Sequence, residues 1–214
     1  MAALVPSRRA MTRKQRTQRT HVGIALVVTG GLILSLSGAR YAIGAVRADR
    51  ARGAWDAMQA KDALAEARSI ALNPGPRVPL VTGAPVARLV IPRIGLDEIV
   101  LEGVDGDELN AGPGHLQGSA FPGERGNAVI SAHRDRHFNH FAELRIGDTV
   151  ITELAASRTT WVIVSKRVIG KDEPALFRTN DATLTLTTCW PIRYVGTAPD
   201  RLIITAKPTA RSTS

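Results

Sequence analysis

The chain reads as a mostly β protein, a closed barrel of short strands with minor helices, preceded by an apolar N-terminal helix. Three observations predict this. Between residues 86 and 207, seven or eight short runs of β-branched and apolar residues alternate with Gly, Pro, Asn and Asp clusters. Ahead of them, Asn73-Pro-Gly-Pro-Arg-Val-Pro79 and Gly83-Ala-Pro85 form a Pro/Gly-rich linker that marks a domain boundary. Earlier still, residues 22–39 form an uncharged, predominantly apolar run. The part beyond the linker, about 120 residues, is long enough to enclose one hydrophobic core.

Taken in order, residues 1–21 carry Arg8, Arg9, Arg13, Lys14, Arg16 and Arg19 with no acid. The apolar run that follows extends past Arg40 to Val46 if Arg40 snorkels to the headgroups. About 20 helical residues span a bilayer core of ~30 Å. The reading adopted is an uncleaved membrane anchor over 22–46, with the basic segment 1–21 on the cytoplasmic side and the remainder outside. A cleaved signal peptide competes, because Ser37-Gly-Ala39 is a passable small-residue site. Arg8-Arg9 resembles the start of a twin-arginine signal, but the residues after it do not continue one. Residues 47–85 then read as an Ala-rich helical stalk, solvated along its length, ending in the linker. Trp55, Met58 and Ala65 give it a faint apolar face, with dimerisation as the alternative use.

In the domain, strands are expected at 86–91, 98–104, 127–132, 149–154, 159–169, 183–188 and 201–206. Short helical turns are expected at 107–112, 138–144 and 172–177, a loop at 113–118, a turn at Gly147-Asp148 and a hairpin across 155–158. From strand pattern alone, the barrel is of antiparallel type, and residues 208–214 form a tail.

The net charge of +9 raises nucleic-acid binding as a function class, but six of the cations sit in residues 1–21. Aromatics are 4% of the chain, and no zinc-finger spacing or helix-turn-helix pattern is present. Nucleic acid is therefore not the expected partner.

Three reactive side chains each fall at the end of an expected strand. Cys189, the only cysteine, closes Thr183-Leu-Thr-Leu-Thr-Thr-Cys189 just before Pro191. By position it is either buried filler or a nucleophile. His133 ends Gly126-Asn-Ala-Val-Ile-Ser-Ala-His133, and Arg201 begins Arg201-Leu-Ile-Ile-Thr-Ala206. If neighbouring strands bring these ends together, one cleft holds a thiol, an imidazole and a guanidinium. A free thiol with pKa ~8.5 is only a few per cent thiolate at neutral pH, so a nearby base or cation is useful. Imidazole exchanges protons with a thiol and a leaving amine. Arginine stays charged and donates hydrogen bonds to a developing oxyanion.

These residues resemble the sortase family. Thr185-Leu-Thr-Thr-Cys189 is similar to its TLxTC signature. Trp190-Pro-Ile-Arg-Tyr-Val-Gly-Thr-Ala-Pro-Asp-Arg201 resembles the segment joining Cys to Arg, particularly in class D. Pro122-Gly-Glu-Arg-Gly-Asn-Ala-Val-Ile-Ser-Ala-His133-Arg-Asp resembles the histidine motif. The likeness runs from about 86 to 207. Trp190 stands where class D more often has Tyr, and Ser131-Ala132 where Ala-Gly is common.

The resemblance implies an eight-stranded mixed sortase-type barrel with catalytic Cys189, His133 and Arg201, and it implies no cofactor. The implied enzyme is a membrane-anchored cysteine transpeptidase whose partners are exported proteins with an LPxTG-like C-terminal signal and an amine acceptor, such as a wall precursor or pilin lysine. Thr188 is expected either to bind substrate or to pack. His115 is expected to hydrogen-bond structurally, and Arg134 and Asp135 to order their loop. His133, His137 and His140 do not complete a tetrahedral ligand set with cysteine or carboxylate, so no metal site is expected. Nor does an acidic cluster suggest calcium. Two rivals stay open: a non-catalytic barrel that binds an exported partner, with Cys189 inert, and an L,D-transpeptidase, although Thr-Thr-Cys-Trp is unlike the Ser-His-Gly-Cys type motif of those enzymes.

Overall fold

The computed structural model describes residues 13–66, 80–155, 157–173 and 178–209, with helix side chains from residue 25 to 61. The Arg8-Arg9 pair, most of the Pro/Gly-rich linker, the end of the expected turn at 172–177 and most of the expected tail lie outside the described residues. The chain divides into two compact units, Met1–Ala42 and Ile43–Ser214.

Helix α1 runs Arg13–Glu66. In the first unit its described side chains are almost all exposed, among them Leu26, Val27, Val28, Leu32, Ile33, Leu34 and Leu36. An apolar surface of this kind is costly in water and natural in hydrocarbon. The helix is long and apolar enough to cross a membrane, and none of its most apolar window is buried.

The second unit is a closed eight-stranded barrel in the order β1-β2-β3-β4-β7-β8-β6-β5. The strands are β1 Pro85–Ile91, β2 Leu96–Glu102, β3 Gly114–His115, β4 Asn127–Ser131, β5 Thr149–Leu154, β6 Ser157–Gly170, β7 Thr183–Trp190 and β8 Asp200–Pro208. A 3₁₀ turn, Pro92–Ile94, joins β1 to β2, and a short helix α2, Gly106–Ala111, precedes β3. Six neighbouring pairs are antiparallel, but β2–β3 and β4–β7 are parallel. The barrel is thus mixed, and the antiparallel type expected from strand pattern is corrected, because alternation within a strand carries no information about its partner's direction.

Three further expectations change. The loop expected at 113–118 contains β3, which bridges β2 and β4 although only two residues long. The helix expected at 138–144 contracts to a 3₁₀ turn, Phe141–Glu143. The β5–β6 hairpin is tighter than expected, with Leu154 paired to Ser157.

The core is built by alternation. Ala128 and Ile130 of β4, Leu184 and Leu186 of β7, and Leu202, Ile204 and Ala206 of β8 all belong to one buried cluster with Leu89, Val100, Phe138, Phe141 and Trp161. Those seven are even-numbered on their strands, so the odd-numbered residues of β4, β7 and β8 face the other side. Trp161 packs fully buried and donates its indole N–H to Thr152 Oγ1 at 2.8 Å, which satisfies its one polar atom.

A second apolar cluster joins α1 to the barrel within the second unit. Ala51 and Trp55 pack with Ile99, Leu101 and Ala111, and Trp55 is only 2% exposed. Beside them, Arg52 donates to Glu98 Oε2 at 3.0 Å and to the Asp97 carbonyl at 3.1 Å. This part of the helix is therefore a packed element of the unit, not the solvated spacer its Ala-rich composition suggests. Replacing Trp55 by Ala deletes a buried aromatic, and such changes cost ~3–5 kcal/mol. Denaturant unfolding of the full chain in detergent micelles, followed by far-ultraviolet circular dichroism, is expected to show a loss in that range. A loss below about 1 kcal/mol, the level of an ordinary surface change, contradicts the packing.

Candidate active site

The site grows out of three adjacent strands, β4, β7 and β8. In the parallel pair β4–β7, Ser131 lies opposite Thr187. The ladder continues one residue further, because the Ala132 N–H donates to the Thr187 carbonyl at 3.2 Å. In the antiparallel pair β7–β8, Cys189 lies directly opposite Arg201. Directly opposed residues on one face have Cβ atoms roughly 4.5–5.5 Å apart. Cys189 and Arg201 are both odd-numbered on strands whose even residues fill the core, so they share the outer face. Carrying the β4 alternation two residues past Ser131 puts His133 on that face, at the level of Cys189. Register sets Cys189 opposite Arg201, and the extrapolated alternation places His133 toward the same face.

All three side chains are half-buried. Arg201 donates to the neighbouring Asp200 carbonyl at 3.0 Å. Burial holds the His133 imidazole below its ordinary value of 6.5. Asp135 pushes the other way, and His137 and Arg136 add to the depression. The neutral ring is therefore favoured at neutral pH, the form that can accept a proton from a thiol.

Thr188, directly before Cys189, is buried. It is 3% exposed and donates its hydroxyl to the Ala132 carbonyl at 2.8 Å, tying β7 to the residue before His133. This supports the packing alternative for Thr188. Beyond His133, the Phe138 N–H donates back to the His133 carbonyl at 3.1 Å. The Phe138 ring stacks on Phe141 with centroids 3.6 Å apart, both fully buried. The histidine loop is thereby anchored in the core on its far side.

The other histidines are engaged separately. His115, 1% exposed, places Nδ1 2.7 Å from Glu102 Oε2 and Nε2 2.9 Å from the Ala120 carbonyl, and stacks on Phe121. This is the structural hydrogen bonding expected of it. His137 faces Glu98 at 3.4 Å, and His140 lies 2.7 Å from Glu143. Among the described residues, no group of three or more His, Cys, Asp or Glu side chains could hold a metal ion. Sequence reasoning missed the reach of Arg134. Its guanidinium donates to the carbonyls of Pro191, Tyr194 and Gly196, in the loop that follows Cys189. Its partners are main-chain atoms, so no residue pattern announces them.

Comparison with known proteins identifies the family. The family model of the Sortase domain matches residues 89–209, more than half of the chain. The chain belongs to the sortase family. Sortase D of Bacillus subtilis (strain 168) is 38% identical over 128 residues, covering 59% of this chain and 65% of that protein, just under two thirds of its length. A class D-like assignment fits. Among solved structures, the catalytic domain of B. anthracis SrtD is 31% identical, with a TM-score of 0.53 over 65% of this chain and 97% of that one. The Clostridium perfringens Sortase D5 transpeptidase shares the fold, with a TM-score of 0.61 at 22% identity, covering 75% of this chain and 98% of that one.

The His133 environment is testable without any substrate. A nuclear magnetic resonance titration of its ring protons is expected to give a midpoint below 6.5, and Asp135→Asn, which removes the opposing charge, is expected to lower it further. A wild-type midpoint at or above 6.5, or an upward shift in the variant, contradicts the description.

Proposed function

We propose that the protein is a membrane-anchored cysteine transpeptidase that cleaves an LPxTG-like C-terminal sorting signal and transfers the new acyl end to an amine. The observation that carries this reading is the register that sets Cys189 opposite Arg201, with His133 two residues past the end of the adjoining strand. Family membership supports it, and so do the three motifs.

In the proposed reaction His133 takes the Cys189 proton, and the sulfur attacks the Thr carbonyl carbon of the signal. Arg201 donates to the oxyanion or to the substrate backbone beside it. The C–N bond breaks, His133 returns the proton to the leaving amine, and the acyl group stays on Cys189 as a thioester. An incoming amine attacks that thioester, loses a proton to His133 and forms the new amide, and the C–S bond breaks to restore the thiol. One difficult exchange becomes two easier ones. Water in place of the amine gives hydrolysis.

The acyl donors are proposed to be exported proteins with such signals, and the acceptor an amine of the wall precursor or pilin lysine kind. The six basic residues before the apolar run support a cytoplasmic N-terminus and an extracytoplasmic barrel. A lone cysteine suits an oxidising compartment, having no intrachain partner with which to form a disulfide.

The test mixes the full chain in detergent with an LPxTG-type peptide and hydroxylamine, read by mass spectrometry. A hydroxamate ending at Thr is expected from the wild type and none from Cys189→Ala. Arg201→Lys keeps the charge but loses the planar fork, and is expected to lower kcat by ~10²–10³. Absence of hydroxamate across a panel of signal variants, with a Cys189 that resists iodoacetamide in the folded protein, contradicts the reading.

A further inference from the structure

The connection from β7 to β8, residues 191–199, carries the chain from Cys189 to Arg201, and little of its own backbone holds it. Among the described residues, the only backbone–backbone hydrogen bond it makes outside the strands is from the Lys171 N–H to the Pro199 carbonyl at 3.2 Å. One side chain spans much of the rest. Arg134 donates from Nη1 to the Pro191 carbonyl at 3.0 Å, and from Nη2 to the Tyr194 and Gly196 carbonyls at 3.0 and 2.9 Å. Its guanidinium carbon also lies 5.6 Å from the centre of the Tyr194 ring, within cation–π range. Gly196 has φ +93°, a conformation open to glycine and strained for other residues, so the carbonyl it offers belongs to a backbone shape only glycine holds easily. At the tip of this loop Val195 is 98% exposed and Tyr194 about half exposed.

Arg134 directly follows His133. A single guanidinium therefore ties the histidine segment to the loop between the nucleophile and the arginine. We propose that Arg134 is a positioning residue that clamps the β7–β8 loop into one shape and so preforms the wall of the cleft beside Cys189 against which the peptide signal binds. This rests on the transpeptidase reading for its kinetic consequence, but not for the clamp itself. Cys189 and Arg201 are fixed by the strand ladder, and His133 is flanked by the Ala132–Thr187 and Phe138–His133 backbone bonds, so releasing the loop is expected to leave the reacting groups in place. The peptide must then order the loop as it binds, which raises KM and spares kcat. Lysine cannot replace the clamp: one ammonium offers three donors at a point, where three spread carbonyls need the planar fork.

The test compares wild type, Arg134→Lys and Arg134→Gln as full chains in detergent, by two readouts. The first is limited trypsin digestion at Arg193, an exposed bond within the loop, which needs no substrate. Both variants are expected to be cut there at least tenfold faster, with the thermal midpoint of the barrel lowered by no more than a few degrees. The second is turnover of an LPxTG-type peptide with an amine acceptor, where KM is expected to rise about tenfold or more and kcat to stay within threefold. Unchanged cleavage at Arg193 overturns the clamp. Faster cleavage with unchanged KM, or a fall in kcat at constant KM, overturns the positioning role. Faster cleavage in variants of a wild type that turns over no peptide retains the clamp and rejects the transpeptidase reading, and with it the kinetic role. A barrel that unfolds in both variants, seen as a lost thermal transition, overturns the proposal in favour of a general structural role.

Discussion

Along β4, β7 and β8 every second side chain enters the barrel, and the residues between them face outward. The register of these strands is therefore what the candidate site depends on. Leu184, Leu186, Leu202, Ile204, Ala128 and Ile130 have to be inside, and burying them forces Cys189 and Arg201 outward together. A slip of one residue in β7 would turn Leu184 and Leu186 to the other face and bring Thr183, Thr185 and Thr187 into the core. Burial of ordinary aliphatic side chains thus sets Cys189 opposite Arg201.

Around that ladder, polar groups fix what the core leaves loose. Thr188 spends its hydroxyl on Ala132, at the point where β4 gives way to the histidine segment. Phe138 closes the other end of that segment in the core, and Arg134 reaches from its middle to the loop after Cys189. Glu98 meets His137 of the same segment on one side and Arg52 of α1 on the other. The helix is consequently in contact with the same side of the barrel that supports the histidine segment. Trp55 makes that contact apolar and well packed, in keeping with a helix that belongs to the folded unit.

Much of this was legible in the sequence where local chemistry decides. β5 at Thr149–Leu154 was readable because alternation follows a Gly-Asp turn, and β4 and β1 came within a residue for similar reasons. Cys189, His133 and Arg201 stood out because each falls near the end of an expected strand, and the sortase-like motifs named the barrel they belong to. Long-range facts were not legible. β3 is too short to show periodicity and exists because β2 and β4 flank it. Trp55 sits among charges in an Ala-rich stretch, and only the apolar patch of Ile99, Leu101 and Ala111 turns it inward. Glu102 and His115 meet through a parallel pairing that no spacing predicts. The bonds of Arg134 end on carbonyl oxygens, which every residue possesses.

Whether Cys189 and His133 share one cleft can be tested without knowing any substrate. The bifunctional reagent 1,3-dibromoacetone alkylates an accessible thiol first and then bridges to a nucleophile within a few ångströms. Applied to the folded full chain in detergent, with the product digested and mapped by mass spectrometry, it is predicted to join Cys189 to His133 and to leave only a monoadduct in His133→Ala. A bridge from Cys189 to a different residue, or a monoadduct alone in the wild type, would contradict the convergence on which the rest of the account stands.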